Sequence, residues 1–158
     1  MQTDQGMMAQ GLALKLQTIN LDGRIYTPVQ ILKMHEDVYK EKGKVYYSTD
    51  IPTNLRNISN VTQLLFYIPK TDVAFFADID SVEAAPKGHE TGKILPHEAE
   101  VYSPQAFAGI ACRTWFLLNN IVPASKAELE RLRVKNDPNI SVYEKMYISG
   151  RFNRFFYV

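Results

Sequence analysis

The chain has 158 residues, 46% of them hydrophobic and 22% charged, with 18 Lys and Arg against 17 Asp and Glu for a net charge of +1. That length fits one domain with a real core, and the composition excludes a collagen-like, disordered or membrane-spanning chain. The charge is as balanced within the halves as overall, 8 basic and 8 acidic residues up to Ile79 and 10 and 9 beyond it, which excludes a charged tail.

Residues 1–10 are polar and without periodicity, a flexible lead to a single domain over 11–158. The lead MQTDQGMMAQG has neither the basic segment nor the apolar core of a signal peptide, and Cys112 is the one cysteine, so the expected compartment is the cytoplasm. Leu12, Leu14 and Leu16 alternate with Ala13, Lys15 and Gln17, the period of a half-buried strand ending at the turn Asn20-Leu21-Asp22-Gly23. Thr27-Pro28 reads as the cap and first residue of a long helix that runs to Lys42 and stops at Gly43, with Ile31, Leu32, His35, Val38 and Tyr39 as its apolar stripe. Strands follow at Val45–Thr49, Gln63–Ile68 and Val73–Val82, the last two flanking the hairpin signal Pro69-Lys70-Thr71-Asp72. The stretch from Asp50 to Asn60 is turn-rich, and Ala85 to His97, with Pro86, Gly88, Gly92 and Pro96, is a long loop.

Ile110 to Ile121, which holds Trp115, reads as a central strand. Ser125 and Glu128 form a capping box for a helix to about Val134, a second helix is expected from Pro138 to Ser149, and Phe155–Val158 closes the chain as a strand. The sum is an α+β fold: a small mixed barrel of about six strands, a long helix after the first, and one or two helices near the end.

No Gly-rich phosphate loop and no metal-ligand spacing occurs, so no cofactor is expected. His35-Glu36 lacks the second histidine of a zinc-protease helix, since Tyr39 stands there, and His35 reads as a core-edge residue satisfied by one hydrogen bond. His89 and His97 lie in the long loop beside Glu90, Glu98 and Glu100, with nothing to fix their geometry. Cys112 beside Arg113 reads as a small buried hydrophobe. The aromatic pairs say more. Tyr46 and Tyr47, like Trp115 and Phe116, must point to opposite sheet faces, a pattern that by itself favours ordinary core packing over its alternative, a flat-walled slot for a planar base. Arg131 and Arg133, in a run partly balanced by Glu128 and Glu130, form a solvated face or touch phosphates.

Lys44-Val45-Tyr46-Tyr47-Ser48-Thr49-Asp50, running on to Asn54, resembles the strand and loop of the YTH family, where an aromatic precedes Ser-Thr and a later Asn introduces a short helix. Gln63–Ile68 with Val73–Ile79 is similar to that family's next hairpin, and Arg113-Thr114-Trp115-Phe116 with Asn120-Ile121-Val122-Pro123 to its later strand and exit. The order and spacing also resemble the related EVE domains, and the long helix before Lys44 is closer to EVE. The resemblance covers residues 12 to 136. It implies a PUA-like barrel that reads DNA or RNA by flipping a modified, methylated base into an aromatic pocket, with an effector nuclease or other protein acting in trans. Carried over, it implies that Tyr47 is the first cage aromatic, that Ser48 meets the base edge through its backbone, and that Asn20 and Asn54 lie near the base. Tyr102 is the aromatic offered by residues 85 to 104, Trp115 belongs to the aromatic slot, and Lys44, Arg131 and Arg133 are the basic groups for phosphates.

Two alternatives stay open. Small PUA-like barrels of the ASCH type act on nucleosides or nucleic acids through Lys, Thr and Glu, for which Lys44, Thr49 and Glu83 or Glu100 are candidates. The same barrel also serves as a protein-interaction module.

Overall fold

The computed structural model describes residues 10–50, 58, 60–85, 92–149 and 155–158. Strand β1 (Gly11–Lys15) is buried over its first four residues because its two sets of side chains enter different cores. Leu12 and Leu14 join one core and Ala13 the other. Its alternation is therefore between two covered faces and not between a buried and a wet one, as expected of a strand inside a sheet packed on both sides.

A hairpin that the sequence reading does not anticipate comes next, β2 (Ile19–Leu21) paired with β3 (Arg24–Tyr26). Asp22 and Gly23 turn it with φ of 53° and 83°, the left-handed pair that a two-residue hairpin turn requires. Helix α1 (Pro28–Lys42) thus follows this hairpin and not the first strand directly. Its capping box is complete: Thr27 Oγ1 accepts from the Gln30 N–H at 3.3 Å, and Gln30 Oε1 accepts from the Thr27 N–H at 2.8 Å. Gly43 ends it in the left-handed conformation, φ 81°.

Strands β4 (Val45–Thr49), β5 (Gln63–Tyr67) and β6 (Ala74–Ala84) follow, then a short helix α2 (Ala99–Tyr102) and strand β7 (Thr114–Pro123). The Ser125–Glu128 capping box opens α3 (Lys126–Arg131), which stops when Leu132 turns extended and feeds β8 (Arg133–Val134). The helix expected over 138–149 is divided. Asp137–Ser141 is strand β9, paired with β8, and helical backbone begins at 142, π-helical over Glu144–Ser149. Ser141 Oγ accepts from the Glu144 N–H at 3.0 Å, so the hydroxyl caps a helix that starts later than periodicity alone suggests. Strand β10 (Phe155–Tyr157) is the last element.

Six strands form one mixed sheet in the order β10-β1-β5-β6-β7-β4, with β1 and β5 parallel and the other pairs antiparallel. Helix α1 lays Ile31 and Leu32 on one face, against Leu12, Leu14, Val45, Leu64, Phe66, Phe116 and Leu118. Alternate side chains of the same strands enter two cores on the other face. Ala13, Leu65, Tyr67 and Phe76 meet Leu129, Leu132, Val142 and Met146. Tyr46 and Trp115 meet Ala99 and Cys112. Among the described residues no helix is long and apolar enough to cross a membrane.

Candidate functional site

An open cleft of about 400 Å³ lies where the chain leaving β1, the hairpin strand β2 and the end of β4 face helix α1 and the segment 107–112. Its polar lining comes from Lys15, Gln17, Asn20, Ser48, Thr49 and Asp50, and its aromatic walls are Tyr47 and Phe107. Strand alternation decides which tyrosine reaches it. Tyr47 shares the α1 face with Val45, whereas Tyr46 points to the other side.

The walls are braced from behind by His35. Its ring lies 5.4 Å from that of Tyr47 and 5.5 Å from that of Phe107, centroid to centroid, and Tyr47 also stands edge-on to Phe66 at 4.9 Å. The His35 Nδ1–H donates to the Ile31 carbonyl at 2.6 Å. Burial lowers the His35 pKa to about 4, with the backbone bond acting in the opposite direction, so the ring is neutral at pH 7. The core-edge reading of His35 thus describes it well. Burial likewise pushes the Tyr47 phenol up, and the nearby Cys112 thiol adds to this. Cys112 is itself raised by burial, partly offset by a hydrogen bond with Ser48. Both groups are protonated at neutral pH, and neither is a primed nucleophile.

The wall that carries Phe107 is fastened at its two ends. Ile94 and Cys112 exchange backbone hydrogen bonds of 2.8 and 3.0 Å, and the Trp115 indole N–H donates to the Ile94 carbonyl at 2.8 Å. Asp50 Oδ1 accepts from the Arg113 N–H at 2.9 Å, and Asp50 Oδ2 is 3.2 Å from Lys93 Nζ. At the hairpin, Asn20 Oδ1 accepts from the Gly23 N–H at 2.8 Å within the turn. A backbone N–H can be met only by the amide oxygen, so this bond fixes the orientation of the side chain.

Of the residues singled out from sequence, Asn20, Tyr47 and Ser48 come together in the cleft, and Thr49 with them. Trp115 does not: it is fully buried, edge-on to Tyr46 at 5.6 Å, on the face away from α1. Tyr102 packs beside it, 6.5 Å from Tyr46. The aromatic slot expected between the Tyr46-Tyr47 and Trp115-Phe116 strands is therefore a filled core on the face of Tyr46 and Trp115, with Tyr102 packed into it and α2 and the 94–112 bridge covering that face. Lys44 pairs with Asp80 at 3.1 Å, a contact that raises its pKa, and it does not line the cleft. Arg131 and Arg133 are exposed on α3 and β8, elements that pack against the core on the far face. Glu83 accepts from the Tyr46 hydroxyl at 3.3 Å and Glu100 is exposed on α2, so Lys44, Thr49 and a glutamate are not assembled. His97 is exposed, while Asn54 and His89 lie outside the described residues.

Phe107, Asp50, Lys15 and Ile110 line the cleft without having been singled out. Phe107 sits in Pro104-Gln105-Ala106-Phe107-Ala108-Gly109, which reads as a turn, and nothing local says that the turn folds back onto a helix. Comparison with protein-family models, with curated proteins and with solved structures finds no match to this chain.

Proposed function

We propose that this chain is a nucleic-acid-binding module of the PUA-like, EVE/YTH type that holds a flipped, methylated base in the cleft. The observation that carries this reading is the convergence of Asn20, Tyr47 and Ser48 on one open cleft, three residues that the resemblance places around a base. Their strands supply a second argument. Lys15 of β1 and Tyr47 of β4 line the same space although β5, β6 and β7 stand between their strands in the sheet. Such an approach requires the sheet to coil on itself, the geometry from which a small barrel is made.

The cleft is suited to a planar ring. Tyr47 and Phe107 offer stacking or edge contacts worth about 1–3 kcal/mol each, set against the few kcal/mol that extruding a base costs. Phe107 takes the role expected of Tyr102 or Trp115. A methyl group in an apolar corner such as that of Ile19, Leu21 and Ile110 adds on the order of 1 kcal/mol. The lining has one basic and one acidic side chain, so phosphates belong at its rim and the base inside.

The test is binding to matched short oligonucleotides with and without methylated adenine or cytosine, at low and moderate salt. A gain on methylation that disappears in Tyr47→Ala is expected. No binding of any oligonucleotide at low salt would sink the reading.

A further inference from the structure

The two aromatic walls of the cleft come from separate parts of the fold, Tyr47 from β4 and Phe107 from the segment after α2. His35 of α1 meets both rings, at 5.4 and 5.5 Å between centroids. Its own ring is tied to the helix, because Nδ1–H donates to the Ile31 carbonyl one turn earlier at 2.6 Å. One rigid element thus holds two walls that share no strand. Packing behind Tyr47 is incomplete. A small inner void of about 10 Å³ is lined in part by His35, Phe66, Leu118 and Ile121, and Tyr47 borders both it and the outer cleft. A ring beside a void has no packing on that side, so its contacts with His35 and Phe66 decide where it stands.

We propose that His35 is a positioning residue for the cleft, its neutral ring setting the arrangement of Tyr47 and Phe107 that grips a planar ligand. The inference rests on the base-binding reading above for the ligand, but not for the arrangement of the walls. The surroundings of the ring explain why it must stay neutral. β5 and β7 offer it Phe66, Leu118 and Ile121, and the chain leaving β1 offers Leu16. The titratable side chains near it are phenols, Tyr47 across from it and Tyr39 one turn on along α1, with Cys112 beyond Tyr47. Asp37 pairs with Lys33 at the surface, and Lys15 and Asp50 line the outer cleft without acting on the ring. A protonated imidazole has two N–H groups to satisfy, and among the described residues nothing here supplies its counter-charge. Protonation therefore drives the ring from its place and leaves both walls unsupported.

The experiment has a ligand-free arm and a ligand arm, both on the full chain. Cys112, the one cysteine, lines the cleft at 9% exposure, so its labelling rate with a small thiol reagent reports whether the walls have parted. His35→Gln keeps a donor for the Ile31 carbonyl but has no ring. It should speed labelling and weaken binding of a methylated oligonucleotide, each about tenfold, the lower end of one aromatic contact. His35→Phe restores a ring and should return both readings to within about threefold of the parent chain. Trp115 emission, from the core on the other face, checks that each variant is folded. Toward pH 4 the affinity of the parent chain should fall more steeply than that of His35→Phe, which subtracts the titration of the bases themselves. Parent-like labelling in a folded His35→Gln, or equal losses in the two variants, overturns the role of the ring. If the parent chain binds no oligonucleotide, the base-binding reading falls, and the labelling arm still decides the role of His35.

Discussion

Tyr46 and Tyr47 are neighbours in one strand with opposite fates. Tyr46 enters a closed cluster, its ring edge-on to Trp115 and its hydroxyl on Glu83, and burial with that carboxylate pushes its pKa up to about 12. Tyr47 is packed on its inner side by Phe66 and His35 and leaves its remaining surface to the cleft. The two side chains are chemically the same. What differs is the cover: α2 and the 94–112 bridge close one face, while on the other the hairpin meets Phe107 through Tyr26 and a cleft stays open beside Tyr47. A tyrosine becomes a candidate binding residue through the element that fails to reach it.

Substitutions that exchange these fates measure the difference. The largest effect belongs to the closed side: Trp115→Ala should destabilise folding by about 3–5 kcal/mol, read by chemical denaturation, since it empties a site of zero exposure. Binding could not be blamed for that loss. On the open side, acid is the sharper tool. The folded-state pKa of His35, about 4, lies below its ordinary value of 6.5, so the unfolded chain takes up the proton first. The stabilisation is whole above pH 6.5 and declines as pH falls toward 4, by an amount on the order of 3 kcal/mol. His35→Gln should flatten that slope in unfolding experiments across the window; an unchanged slope would remove His35 as its source.

Tyr47→Ala should weaken oligonucleotide binding by about 1–3 kcal/mol, the value of one aromatic contact, whereas Tyr46→Phe should leave it untouched. If both weaken binding alike, the contrast between the faces is wrong. The smallest effect concerns the helix behind Tyr47: Thr27→Ala removes the cap of α1 and should cost about 1 kcal/mol in thermal unfolding.

Signals confined to a few neighbouring residues are legible in the sequence. Thr27-Pro28 and Gly43 give the bounds of α1, Ser125 with Glu128 gives the start of α3, and Val45–Thr49 is read to the residue. Asn20, Tyr47 and Ser48 are found through a short resemblance, and the cleft brings them together. What fails depends on partners far along the chain. Three-residue strands such as β2 and β3 carry too little pattern to show, although Asp22-Gly23 marks their turn. Ile140, Tyr143, Met146 and Tyr147 keep helical spacing while β8 draws Asp137–Ser141 into a strand, a tertiary override of local preference. Phe107 and Asp50 reach the cleft because of the Ile94–Cys112 bridge and the Arg113 contact, which no local pattern announces.

The position of β1 in the sheet has a consequence for how the molecule is made. Leu12 is flanked by Leu64 on one side and Tyr157 on the other, and Gly11 exchanges backbone hydrogen bonds with Val158. Both neighbours are remote in sequence, which gives the sheet a high contact order and slows its assembly. During synthesis β1 emerges long before β10, and until residues 155–158 leave the ribosome one edge of an almost wholly apolar strand stays open to other chains. Strand β10 thus acts as a latch on that edge of β1.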